Sequence, residues 1–394
     1  MHLLKRLLLL ILALILLPAC AEKEIFGEAP GPVPVESSPA PSPVPVQLPS
    51  PKPLPAPTPA PTPLPTPDPG VLEEYSGPYF HVFFHYLIAF PDIAYSTSYG
   101  KNLDTDCVTP AEFRRALEEL YNNGYVLYDI NRLFETVTDE DGAETVRMIP
   151  ARVPKGKKPL VMSFDDLNYY QKNLGKGTCD RLIIDSRGQF AMQTVMSDGS
   201  VRITYDNDVV PMLERFVKEH PDFSPFGDMG TLALTGYDGV LGYRINRDAP
   251  GRESEIEAVR PVIEKLRENG WSFASHSYGH RHFQKESLEK ILDDTQKWDG
   301  EIAAVLGPTK VFVYPYGESV KSDDAKFAAL YDKGFRIFCG VGMRPYLKAF
   351  RSYMFMDRQS IDGYTLRNSG KYLEPLMDSG RVFDPAGRHE EAAE

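Results

Sequence analysis

Apolar and polar positions along residues 73–394 follow two alternating periods, one of two residues and one of three to four. The run YFHVFFHYLIAF (79–90) is rich in aromatic and β-branched residues and predicts a strand. TPAEFRRALEELYNNG (109–124) predicts a helix: Thr109 caps it, Pro110 takes the first turn, and Glu112 can reach back to the cap. Its apolar face is Phe113, Leu117, Leu120 and Tyr121, and Asn-Asn-Gly stops it. YVLYDI (125–130) then reads as a strand, DEDG (139–142) as a hairpin turn, and PLVMSF (159–164) as a further strand. Residues 181–206 carry two turn signals, Ser-Arg-Gly and Ser-Asp-Gly, between alternating runs, which predicts a small antiparallel insertion.

The alternation then resumes. Helices are predicted at 209–220, 254–270, 283–307 and 322–334, with strands at 230–236, 271–275, 311–317 and 335–342 between them. Repeated strand–helix units imply a mostly parallel sheet with helices outside it. Their number and the apolar strands favour a closed or nearly closed barrel, whose site would lie at the C-terminal ends of the strands.

Two segments precede this α/β region. Residues 1–20 combine Lys5 and Arg6 with eleven apolar residues, Leu7 to Leu17, the shape of a secretory signal too short for a membrane span. LPAC (17–20) resembles a bacterial lipobox, which implies that Cys20 is lipidated and anchors the chain to the membrane, extracytoplasmic and facing the cell wall. Residues 21–72 form a Pro-rich tether: eighteen of the 35 prolines fall between Pro30 and Pro69. Proline fixes φ and donates no hydrogen bond, so the tract reads as a disordered, polyproline-II-like spacer of roughly 120 Å at about 3.1 Å per residue. The folded domain is expected over 73–394.

The formal charge of −12 and the absence of a long basic run argue against nucleic acid or an anionic membrane surface as the main partner. Cys107, Cys179 and Cys339 are scattered, with no CxxC pair, and read as free or buried thiols rather than a metal ribbon.

Three predicted strand ends carry chemistry. Asp165 and Asp166 follow PLVMSF; His276, His280 and His282 lie in SHSYGHRH after WSFAS; and YPYGE (314–318) follows the strand begun at Val311. On a helical turn, the spacing of His276 and His280 would place both imidazoles on one face, where they can bind one metal. Two imidazoles and a carboxylate are a common ligand set for zinc or a similar divalent ion.

These segments resemble, in order, the three leading motifs of the polysaccharide deacetylase family (NodB-homology carbohydrate esterases). SFDD (163–166) is similar to its Thr-Phe-Asp-Asp, SHSYGH (275–280) to its histidine motif, and YPYG (314–317) to its third. The resemblance implies a distorted (β/α)7 barrel. It also implies that Asp166, His276 and His280 hold a divalent metal, zinc first among them, that Asp165 is the general base, and that the backbone N–H of Tyr316 helps hold the oxyanion. The substrate implied is an N-acetylated glycan.

Three departures stand out. Leu167 replaces a glycine, Val313 stands where the family often has a base-orienting arginine, and no Leu-x-x-His supplies the usual general acid near the C-terminus. Arg358 either replaces that arginine or is an ordinary salt-bridging residue. His85, on one face with His81 and Phe83 by strand alternation, is either the acid or a structural histidine. His282 reads as a neighbour of the site or a surface residue, and His389 in the polar tail is a poor candidate. The reading is a metal-dependent N-deacetylase of a cell-envelope glycan. A non-catalytic glycan-binding lipoprotein on a degenerate deacetylase scaffold is the alternative.

Overall fold

The computed structural model describes residues 68–389 apart from 141 and 143. The signal segment, Cys20 and all but the last residues of the Pro-rich tether lie outside the described residues.

Seven parallel strands close into a barrel: β1 (Phe80–His85), β2 (Lys158–Asp165), β3 (Thr231–Leu234), β4 (Ser272–Ser275), β5 (Val311–Val313), β6 (Ile337–Val341) and β7 (Met354–Ser360). The circuit runs β2–β3–β4–β5–β6–β7–β1 and returns to β2. Two edges are shared. Tyr125–Leu127 pairs with the start of β2 and β3 with its end, while Leu347–Ala349 pairs with the start of β7 and β1 with its end. These hand-overs distort the circle.

Strand alternation sorts the residues into two cores. Val161, Ala233, Ala274, Val313, Cys339 and Met356 fill the barrel, and Tyr128, Phe134 and Val146 belong to the same cluster. Phe84, Phe164, Leu232 and Phe338 point outward against the surrounding helices. Phe84, Phe113 and Phe164 meet at ring separations of 5.0–6.1 Å, which fixes the first helix on the barrel.

Helix α1 (Pro110–Asn122) has the expected capping box, with Thr109 and Glu112 bonded reciprocally. α2 (Val209–Glu219), α3 (Arg252–Glu268), α4 (Leu288–Lys297) and α5 (Ala325–Asp332) follow between strands. The expected hairpin joins Phe134–Thr138 to Glu144–Met148. The insertion is a three-stranded antiparallel sheet, Arg181–Ile184, Phe190–Val195 and Val201–Thr204. Cys107, Cys179 and Cys339 are free and buried.

Three sequence expectations change. The single helix over 283–307 begins only at Leu288, where the Ser287 hydroxyl accepts from the backbone N–H of Lys290, and widens into a π turn at Trp298–Ala303. The strand over 311–317 ends at Val313, because Tyr316 adopts φ 58°. Strand β7, which completes the barrel, went unpredicted. Its inward positions are Met354, Met356 and Arg358, and the arginine breaks the apolar alternation that would announce it.

Candidate active site

The C-terminal ends of these strands converge on one cleft. Asp165 is the last residue of β2 and lies opposite His85 of β1 and Ala233 of β3. In a continuing strand Asp165 and Asp166 would point to opposite faces. Asp166 instead adopts φ 62°, a left-handed conformation that Asp tolerates better than most residues, and both carboxylates line the same 560 Å³ cavity. Buried Asn168 holds the turn that follows: its amide donates to Thr235 O at 2.8 Å, and its carbonyl accepts from Thr235 N at 3.1 Å.

His276 and His280 do not sit on a helical turn. Residues 276–282 form an irregular loop in which Ser277 (φ 56°) and His280 (φ 50°) are both left-handed, and this folds the two imidazoles together, 4.9 Å between ring centres. Asp294 of α4 pins the loop by accepting from Tyr278 N and Gly279 N, each at 2.7 Å. One carboxylate oxygen of Asp166 and one ring nitrogen each of His276 and His280 lie within 4.8 Å of one another, close enough to share one metal ion.

The donor set fits a divalent ion. His276 donates Nδ1–H to Val313 O at 2.9 Å, which leaves its Nε2 lone pair for a ligand, the usual support for a metal-bound imidazole. Burial pushes its pKa down to about 4, against the opposing charge of Asp165, so the ring is neutral. On Asp166, burial raises the carboxyl pKa, but the facing His280, together with the Tyr170 hydroxyl, outweighs it and keeps the group below the usual range. Tyr170 donates its hydroxyl to Asp166 and in turn accepts from Thr235 Oγ1 at 2.7 Å, and its ring stacks on Tyr237 at 4.9 Å.

Asp165 has a different environment. Arg358 of β7, fully buried, brings Nη1 within 2.7 and 2.9 Å of the two carboxylate oxygens. Its Nε donates to Gly340 O, and its guanidinium sits 4.1 Å over the ring of Phe83. Burial works to raise the Asp165 pKa, yet the Arg358 charge overcomes it and holds the group down at about 2. Arg358 thus pairs with Asp165 from a different strand than the one carrying Val313.

The remaining histidines separate by contact. His85 lines the cleft, half-buried, and donates Nδ1–H to Asp106 O at 2.9 Å. His81 is buried beneath it in the barrel, bonded through Nε2 to Ser163 Oγ at 2.9 Å. Tyr316 lines the cleft with its ring 4.4 Å from His280, and His282 stacks flat on that ring at 3.9 Å. His389 pairs with Asp92 at 3.0 Å and takes no part in the cleft. Sequence reasoning missed Tyr170, Tyr237, Thr235 and Asp294.

The sequence model of the polysaccharide deacetylase family matches residues 248–337, a stretch that includes His276, His280 and Tyr316. No curated protein matches the sequence. Solved structures with some similarity include a Streptococcus pyogenes deacetylase, PplD, in complex with acetate. It is 11% identical with a TM-score of 0.42, covering 77% of this chain and 99% of that one. IcaB from Ammonifex degensii is 14% identical with a TM-score of 0.40, covering 74% and 94%. A CE4 family pseudoenzyme from Bacillus anthracis is 12% identical with a TM-score of 0.24, covering 41% and 53%.

Proposed function

We propose that this chain is a metal-dependent hydrolase that removes N-acetyl groups from N-acetylhexosamine units of a cell-envelope glycan. The observation that carries the reading is the division between two adjacent carboxylates. Asp166 joins His276 and His280 as a ligand cluster, while Asp165, one residue earlier, is held apart by Arg358. The family match over residues 248–337 supports the same reading.

In this mechanism Asp165 takes the proton of the attacking water. A carboxylate held near pKa 2 by Arg358 is ionised at every working pH but is a weak base. A divalent ion such as zinc, bound by Asp166, His276 and His280, supplies the Lewis acidity that lowers the pKa of water and polarises a carbonyl. The backbone N–H of Tyr316 helps hold the developing oxyanion. His85, entering the step as the imidazolium, gives its Nε2 proton to the departing amine and ends neutral, with its Nδ1–H still donated to Asp106 O.

Acetate release from chitooligosaccharides, measured with and without a chelator, tests the reading. Release should stop on chelation and return with added zinc. Asp166→Ala should lose metal, whereas Asp165→Asn should keep it and lose turnover by about 10²-fold or more. Retention of glycan with no acetate released under any condition would instead establish a non-catalytic binding protein.

A further inference from the structure

A second cavity, of 810 Å³, opens on the flank of the barrel near the strand starts. Phe80, Tyr125 and Lys158, the first residues of their strands, line it, whereas His85 at the far end of β1 lines the catalytic cleft. Along β1, five residue steps lie between Phe80 and His85, about 16 Å at about 3.3 Å per residue, and Phe83, between them, lines the cleft. In a chain of net charge −12, this cavity is lined by Lys158, Arg344 and Lys371 and by no Asp or Glu. Among the described residues none of those cations forms an ion pair.

The cations are interleaved with tyrosines. Lys158 sits 4.5 Å over the ring of Tyr125, and Lys371 lies 5.0 Å and Arg344 6.0 Å from the ring centre of Tyr372. The walls are stitched in place. Tyr125 donates its hydroxyl to Pro375 O at 2.7 Å, and Gln359, next to Arg358 on β7, donates to Met343 O at 3.2 Å and Tyr372 O at 3.0 Å. Tyrosine rings present a flat apolar face with a polar tip, suited to a sugar ring, while guanidinium and ammonium groups pair with carboxylates.

We infer that this cavity is a second saccharide site, selective for a short run of carboxylate-bearing sugars. The choice of a glycan over an acidic peptide rests on the deacetylase reading of the cleft. The charge complementarity is independent of that reading. Cations this few, in a space this small, match an acidic oligosaccharide rather than a long polyanion, which needs many phosphate contacts. Bound there, an acidic glycan would hold the enzyme on its polymer while the cleft, at the other end of β1, works on N-acetylated units.

Isothermal titration of the full chain with trigalacturonate tests the site, with chitotriose, a glutamate peptide and oligothymidylate as comparison probes. Trigalacturonate should bind with salt-sensitive affinity and more tightly than the other probes. The double variant Arg344→Gln/Lys371→Gln alters two exposed side chains and should weaken binding at least about tenfold, a loss of about 1.4 kcal/mol. Tyr372→Ala, which leaves the charge unchanged, should weaken it as well. Both variants should melt like the wild type and release acetate from chitooligosaccharides at the wild-type rate. Equal binding by wild type and double variant, or equally tight binding of any comparison probe, would overturn the proposal. If instead trigalacturonate binds as described while no acetate is released, the reading of the cleft fails and the cavity stands.

Discussion

At the scale of single residues, two adjacent aspartates differ because their neighbours differ. Asp166 faces two imidazoles, whereas Asp165, 3.7 Å from His276 Nε2, is paired by a buried guanidinium. Burial by itself would raise both carboxyls, so the depressed pKa of Asp165 depends on Arg358. The sign follows: this ion pair contributes stability that is fully present above the unfolded carboxyl pKa, about 3.9, and is lost as pH falls through about 2. In Arg358→Gln, the largest opposition to burial is gone and the Asp165 pKa rises. The acid limb of the kcat/KM profile should then move upward by more than about one pH unit, with Arg358→Lys intermediate. An acid limb that stays in place in Arg358→Gln would refute the assignment. The aspartate pair and the two histidines were legible as motifs. Arg358 stood in the sequence as one of two open readings, and only the structure pairs it with Asp165, since their separation of 193 residues leaves no local trace of the contact.

At the scale of elements, capping and periodicity carried most of the fold. The capping box of α1 stands as the sequence predicts, because its interactions are local. The loop 276–282 departs from its expected helical turn because Asp294, from the following helix, takes two of its backbone N–H groups. The N-terminus of α2 offers a test of a buried cap. Asp208 accepts from Val209 N at 2.7 Å and is fully buried, and burial pushes its pKa up to about 7 despite that bond. The folded state therefore binds a proton that the unfolded state releases near pH 4. The stabilisation by that proton is complete below about pH 4 and is lost as pH rises through about 7. Asparagine keeps the cap oxygen without the charge. Urea unfolding of Asp208→Asn should accordingly show a flatter decline in stability between pH 5 and 8 than the wild type. Parallel profiles would rule this out.

At the scale of the whole molecule, the C-terminal segment closes the domain. Arg388, buried, donates from Nε and Nη2 to the two oxygens of Glu112 and also reaches Asp104 and Cys107 O. It thereby ties the last described turn to α1 and to the helix Gly100–Asp106, whose last carbonyl holds His85. Among the described residues no helix is long and apolar enough to cross a membrane. We propose that attachment comes from Cys20 and that the Pro-rich tether carries the domain outward. Cys20→Ser should move the protein from the membrane fraction to the soluble one and abolish incorporation of labelled fatty acid, with acetate release from soluble chitooligosaccharides unchanged. Labelling that persists in the variant would exclude lipidation at this position.

The sequence by itself determined the elements whose causes are local: alternating strands, capped helices, the hairpin and the three-stranded insertion. It also marked the carboxylate and imidazole positions, because a motif of a few residues contains them whole. The closure of the barrel, the left-handed turns at Asp166 and His280, and the partner of Asp165 were decided by tertiary structure. Each depends on a contact between segments far apart in the chain. A buried arginine on β7 reads in sequence as a break in a strand, and becomes part of a site only when the barrel brings it beside β2.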